Sequence, residues 1–196
     1  HVDHMHPDAI IAIAASADSK KLTQEIFGDE IGWLPWVRPG YQLGLRLRQF
    51  VQEHPRARGV ILEAHGLFTW GDTSKACYET TLEIINRTGE WLAARSEGRK
   101  PFGAAAVQPL AAERRRALAA TIMPSIRGLI SRTARKVGHF HDSPAVPEFL
   151  CSEALGPLGA LGTSCPDHFL RTKIWPLVLP FDPQAESPEQ LLARIP

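Results

Sequence analysis

Three histidines fall within the first six residues of the chain, His1, His4 and His6 in HVDHMHPDAI. Neutral imidazole is the commonest metal-binding side chain. His4 and His6 are two apart, so on a strand both rings face one side, and by the same parity His1 faces the other. Three protein ligands and an open position make a catalytic zinc site, so this pair needs a third ligand from elsewhere. His65, in LEAHGLFTWG, supplies one at a strand-to-turn junction with Gly66 behind it. Each motif alone also fits a polar strand end. A tag remnant is the weakest reading, since no homopolymeric histidine run is present and helix-forming residues follow at once.

Glu63 lies two residues before His65. On a regular strand the two share a face, and Glu63 is then a fourth ligand, a partner that orients an imidazole, an acid/base group, or a strand-end carboxylate in water. Asp3 and Asp8 flank the first motif and either orient imidazoles or serve as solvated or capping residues. A second histidine pair, His139 and His141 in VGHFHDS, reads most simply as a polar strand end. In GTSCPDHFLRTK, Ser164 or Cys165 precedes Pro166, which suits the first turn of a helix. Such an end can hold an anion, with Arg171 and Lys173 close in sequence, but capping alone is the simpler reading.

The elements that must position these residues follow from the pattern of apolar and turn residues. HPDAIIAIAASAD reads as a strand end and then a buried helix, with Pro7 in its first turn. EIGWLPWVRPGY reads as a strand stopped by Pro35, Pro39 and Gly40. In YQLGLRLRQFVQEH, Leu43, Leu45 and Leu47 alternate as a strand would, whereas Leu43, Leu47, Phe50 and Val51 fit a helical face, and helix is preferred. RGVILEAHGLFTWGD is a strand or hairpin. Asp72 or Thr73 then caps a long helix whose apolar stripe is Tyr78, Leu82, Ile85 and Leu92. SEGRKPFGAAAVQP is a linker. Beyond it come a helix over about 110–131, a strand-like RKVGHFHD, a helix around Val146–Glu153, and a polar tail, DPQAESPEQLLARIP, expected to be loosely held. Alternating strands and helices place the chain in the α/β or α+β class with a layered sheet.

Composition narrows the function. Lys and Arg number 22 against 21 Asp and Glu, a balance without the basic excess of a nucleic-acid or anionic-membrane surface. The three cysteines, Cys77, Cys151 and Cys165, form no C-x-x-C pair, so neither a disulfide framework nor a cysteine-rich zinc knuckle is expected, and a reducing cytoplasm is the simplest setting. No apolar run is long enough to span a bilayer, and no signal peptide opens the chain. A start at His1 without Met suggests a fragment, a processed product or part of something longer.

HVDHMHPDAI followed by VILEAHGLFTWGD resembles the class II aldolase/adducin family. DEIGWLPWVRPGYQLG, HGLFTWGDTS, VGHFHDS and LGTSCPDHFLRTK are similar to the aldolase portion of its bifunctional rhamnulose-1-phosphate aldolase/short-chain dehydrogenase branch. The resemblance runs from His1 to about Leu179. It implies a three-layer α/β/α fold with a mostly antiparallel sheet, in which residues 1–98 form the metal-binding aldolase core and residues 99–196 a family-specific α/β extension and tail. It also implies zinc, or another divalent metal, on His4, His6 and His65. The implied reaction is a carbon–carbon lyase step in carbohydrate metabolism, as in rhamnose catabolism. A ketose 1-phosphate is cleaved to dihydroxyacetone phosphate and, from a 6-deoxy sugar, lactaldehyde. In the small aldolases the acid/base Glu and most phosphate-holding loops lie ahead of the first histidine motif, which leaves Glu63 as an internal stand-in and an N-terminally truncated fold as the expectation. Those aldolases often carry Asn beside the ligand histidine, where this chain has Ala64. No G-x-G-x-x-G appears in these residues. Two other functions occur in the family: sugar-phosphate 4-epimerases, which share the metal and the retro-aldol step, and adducin-like interaction modules, which generally lack the histidines. The implied partners are a small sugar phosphate and further copies of the chain, a homotetramer by resemblance, with neither nucleic acid nor membrane.

Overall fold

A computed structural model describes His1–Ile195; Pro196, the last residue of the expected tail, lies outside the described residues. The chain divides into two compact units, one of His1–Arg99 with Thr163–Ile174, the other of Lys100–Gly162 with Trp175–Pro196.

The first unit is built on a four-stranded sheet in the order β1-β4-β3-β2, from β1 (Val2–Met5), β2 (Ile31–Leu34), β3 (Gly59–Leu62) and β4 (Gly66–Trp70). β1 and β3 both run antiparallel to β4, and β2 runs parallel to β3. The sheet is thus mostly antiparallel, as the resemblance implies. Alternation along the strands sends Ile31, Ile61 and Leu67 to one face, where they pack with Ile10, Ile13 and Ala14 of α1 (Asp8–Ala14), Ile26 and Phe27 of α2 (Ser19–Phe27), and Ile84 of α4 (Ser74–Ser96). Val60 and Leu62 go to the other face and meet Leu43 and Phe50 of α3 (Tyr41–Glu53). Helices on both faces make three layers, α/β/α.

The leucine-rich segment 41–53 is helical because only the helical face is buried: Leu43 and Phe50 are covered, while Leu45 and Val51 stay in solvent. Phe50 also explains Gly32. A Cβ on that residue would stand 2.0 Å from the Phe50 ring. Gly32→Ala is therefore expected to destabilise the chain by about 1–3 kcal/mol, measured by urea unfolding, and Phe50→Leu in the same chain to recover part of the loss.

Thr73 caps α4 as expected, its side chain accepting from the Ala76 N–H at 3.1 Å. Of the stripe expected on α4, Ile85 and Leu92 pack partly buried against the core, but Tyr78 and Leu82 do not. Tyr78 is 55% and Leu82 39% exposed, whereas Cys77, Thr80, Thr81, Ile84 and Thr88 are buried. The buried threonines have partners: Thr81 Oγ1 donates to the Cys77 carbonyl at 3.1 Å, Thr88 Oγ1 to the Ile84 carbonyl at 2.7 Å, and Thr80 Oγ1 accepts from Arg58 at 3.1 Å. A buried hydroxyl with a partner carries little penalty.

In the second unit, α5 (Ala112–Ile130) matches the expected long helix and α6 (Ala145–Leu150) starts as expected but ends sooner. The strand-like RKVGHFHD forms no strand. Val137 is 98% exposed, and an alternating pattern without a neighbouring strand has no ladder to complete. The tail is held more firmly than its polarity suggests. Ser187 and Gln190 form a capping box on α9 (Pro188–Leu192), Leu191 is buried, and α9 lies along α5. No helix among the described residues is long and apolar enough to cross a membrane.

Candidate metal centre

β1 and the β3–β4 turn bring His4, His6 and His65 together. One ring nitrogen from each lies within 4.8 Å of the others, and among the described residues this is the one group of three or more metal-ligating side chains so placed. His4 sits opposite Phe68 in the β1–β4 register and stacks on its ring, centroids 3.9 Å apart and planes 8° from parallel. His6 lies just past the end of β1 on the same side. His1 faces away: its Nδ1 pairs with Ser74 Oγ at 3.0 Å, and its amino group donates to the Gly71 carbonyl.

His65 reaches the cluster from a three-residue turn. β3 ends at Leu62, so Glu63 and His65 do not lie on a regular strand, and the shared-face expectation for them fails. Between them Ala64 takes a left-handed conformation with φ 49°, which costs a residue with a Cβ about 1–2 kcal/mol and is least unfavourable for Gly, Asn or Asp. Three backbone bonds impose it. Glu63 N–H donates to the Leu34 carbonyl at 2.9 Å, Ala64 N–H to the Ala14 carbonyl at 2.7 Å, and His65 N–H to the Leu62 carbonyl at 3.1 Å. The turn is thereby anchored to β2 and to the end of α1, and His65 is only 5% exposed. The Glu63 carboxylate accepts from the Trp36 N–H at 2.9 Å and so holds the segment that follows β2.

Hydrogen bonds from Nδ1 orient two of the rings. His4 Nδ1 is 3.0 Å from the Leu67 carbonyl, which only accepts, so Nδ1 carries the proton. His6 Nδ1 is 2.6 Å from Asp167 Oδ2. The hydrogen bond from His6 holds the Asp167 carboxyl below its usual range, so it too is an acceptor and the His6 proton is on Nδ1. With both Nδ1 atoms so engaged, the two Nε2 atoms face each other at 3.1 Å. His65 Nε2 is 3.2 Å from His4 Nε2. Burial, with repulsion from His4 and His6, lowers the His65 pKa to about 4, so that ring is neutral at pH 7. Three ring nitrogens brought together in this way are the donor set that a shared cation would use. Three nitrogens at about 2.0–2.1 Å from a tetrahedral zinc would be about 3.3–3.4 Å apart; the two separations from His4 are 3.2 and 3.1 Å, and all three nitrogens lie within 4.8 Å of one another. The donor set fits a divalent ion of the zinc type.

Sequence reasoning missed Asp167, although it stands inside the SCPDH stretch. Cys165 is the N-cap of the short helix α8 (Pro166–Arg171), as the Pro166 rule suggests, but the residue that reaches the histidines is the Asp after the Pro. Asp3 and Asp8 are placed elsewhere: Asp3 Oδ2 lies 3.2 Å from Thr81 Oγ1, and Asp8 starts α1. His139 and His141 are exposed, with ring centroids 6.2 Å apart.

Two family models match the chain. Residues 1–89 match the class II aldolase and adducin N-terminal domain, and residues 117–196 the second domain of class II aldolases. The chain is 37% identical over 191 residues to a protein described as the uncharacterized oxidoreductase YuxG of Bacillus subtilis (strain 168), a match that takes in 97% of the chain and 28% of that protein. The chain thus spans little more than a quarter of that relative's length. Among solved structures it is similar to the N-terminal class II aldolase domain of a conserved protein from Thermoplasma acidophilum (30% identity, 46% of this chain and 41% of that one, TM-score 0.42). A second is an aldolase II superfamily protein from Pseudomonas syringae (23% identity, 50% and 39%, TM-score 0.40).

Proposed function

Since the chain belongs to the class II aldolase/adducin family, we propose that it is the metal-binding part of a zinc-dependent aldolase. It cleaves a ketose 1-phosphate of the rhamnulose 1-phosphate kind to dihydroxyacetone phosphate and lactaldehyde. The observation that carries this reading is the convergence of one ring nitrogen from each of His4, His6 and His65 within 4.8 Å, with the outer nitrogens of His4 and His6 engaged by the Leu67 carbonyl and the Asp167 carboxylate. Adducin-like modules without these histidines would have no use for such an arrangement.

When bound there, a divalent cation supplies a Lewis acid for the ketose carbonyl and hydroxyl oxygens and stabilises the negative charge left as the carbon–carbon bond breaks. The chain's own residues do the rest. His4, His6 and His65 hold the ion, and Leu67 O and Asp167 fix the orientation of two of them. Phe68 keeps water from one face of His4. Glu63, on the turn that carries His65, is the carboxylate assigned to move the sugar hydroxyl proton. The reading extends to a homo-oligomer in a reducing cytoplasm acting on a small phosphorylated sugar.

The test is an assay for dihydroxyacetone phosphate release from ketose 1-phosphates, run on this chain and on the product of its complete reading frame, with and without a chelator. The expected result is release that needs zinc. Glu63→Gln, which keeps an acceptor for the Trp36 N–H, is expected to lower the rate by about 100-fold or more with metal content unchanged. An epimerised sugar phosphate in place of fragments would assign the site to an epimerase. No turnover of any ketose phosphate by zinc-loaded full-length product would overturn the proposal.

A further inference from the structure

The chain returns to the first unit for one short stretch, Thr163–Ile174, closed on itself by a hydrogen bond from the Thr163 N–H to the Ile174 carbonyl at 3.0 Å. Its contribution to the centre is a single carboxylate. Asp167 Oδ2 takes the His6 Nδ1 proton at 2.6 Å, across 161 residues of sequence. Oδ1 is 3.4 Å from the Nε of Arg171, one turn further along α8. This contact fixes the rotation of the His6 ring, with Nδ1 on Asp167 and Nε2 toward His4 at 3.1 Å. Without Asp167 the ring loses the contact that aims Nε2 at the centre.

We propose that Asp167 is a positioning residue for the metal centre, and that through its bond to His6 metal binding and docking of the Thr163–Ile174 stretch stabilise each other. This inference rests on reading the histidine trio as a metal centre and adds to it a coupling to a distant segment. Carboxylates that accept the outer N–H of a ligating imidazole raise metal affinity by about 10- to 100-fold. Coupling between two binding equilibria is reciprocal. Whatever factor the docked segment adds to metal affinity, the metal must add to the stability of the docked segment.

Two measurements on the full chain test it, with Zn²⁺ as the probe. In the first, Zn²⁺ affinity is measured by competition with a chromophoric chelator. Asp167→Ala is expected to bind about 10- to 100-fold more weakly than the unsubstituted chain. Asp167→Asn, which keeps an acceptor but not the charge, is expected to fall between them. Arg171→Ala, removing an exposed partner, should stay within about twofold. Asp167 is 42% exposed, so its substitution leaves the fold intact, which circular dichroism checks. In the second, hydrogen exchange of the 163–174 amides is followed with and without Zn²⁺. Exchange is expected to slow on Zn²⁺ addition by the same factor that Asp167→Ala takes from affinity, and not to slow in Asp167→Ala. Equal affinity in Asp167→Ala, or exchange in 163–174 indifferent to Zn²⁺, overturns the coupling while leaving the metal centre standing. Failure of the unsubstituted chain to bind Zn²⁺ removes both.

Discussion

His65→Ala abolishes metal binding at micromolar zinc, although the substituted residue is the one farthest in sequence from the histidine-rich start. His65 is the buried member of the trio, and its Nε2 stands 3.2 Å from His4 Nε2. The apparent binding free energy of a four-ligand protein zinc site is roughly 10–16 kcal/mol at neutral pH, or on the order of 3–4 kcal/mol per ligand. Loss of one ligand therefore weakens binding by about 100- to 1,000-fold. Two histidines two apart on a strand end remain, and such a pair is a weak chelate. The paired substitution of His4 and His6 should act at least as strongly. Zinc content after dialysis is the measurement, with about one ion per chain expected in the unsubstituted protein and none in either variant. Full occupancy in the variants would remove these histidines from the site.

Gly66→Ala is expected to damage stability and metal affinity together. A Cβ on Gly66 would come within 2.7 Å of the Met5 carbonyl and 2.3 Å of His6 Cδ2. The carbonyl belongs to the backbone of β1, which pairs Met5 with Leu67, so no rotamer change relieves the contact. The end of β1 must lift from β4 and carry His6 with it. Overpacking of this kind costs about 1–3 kcal/mol, a fall in Tm of roughly several degrees for a domain of this size, and the displaced His6 lowers zinc affinity as well. Gly89, in the middle of α4, is the contrast: a methyl group added there would meet nothing within 4 Å. Gly89→Ala should leave binding unchanged and raise stability by about 0.5–1 kcal/mol. Thermal unfolding with and without zinc separates the two effects. A Gly66→Ala chain as stable and as zinc-binding as its parent would show that β1 does not need this close approach.

The same glycine marks what the sequence could and could not disclose. The parity of His4 and His6, and the opposite face of His1, follow from strand geometry alone. His65 is recognisable from the HG motif, but the reason for its glycine is a contact between segments some sixty residues apart in the chain, which no local pattern contains. Ala64 is similar. Nothing in its type suggests a left-handed residue; three backbone bonds from separate elements hold it there. Glu63 pairs with His65 only on the assumption of a regular strand, and the turn at Ala64 removes that assumption.

Periodicity succeeds where burial is apolar and fails where it is not. α3 is resolved by Leu43 and Phe50. α4 buries threonines that bond to their own helix, so hydropathy points to the neighbouring face. RKVGHFHD alternates well but has no partner strand. Asp167 is the largest omission. Its role depends on a contact across 161 residues, and the only local signal is an acidic residue following Ser-Cys-Pro in a stretch that also resembles the family.

X-ray absorption at the zinc edge, on the chain reconstituted with one equivalent of Zn²⁺, tests the central claim most directly. The account predicts an inner shell containing three imidazole nitrogens at about 2.0–2.1 Å, with the multiple-scattering signature of histidine, reduced to two or lost in His65→Ala. An inner shell of oxygen alone, or one unchanged by His65→Ala, would contradict it.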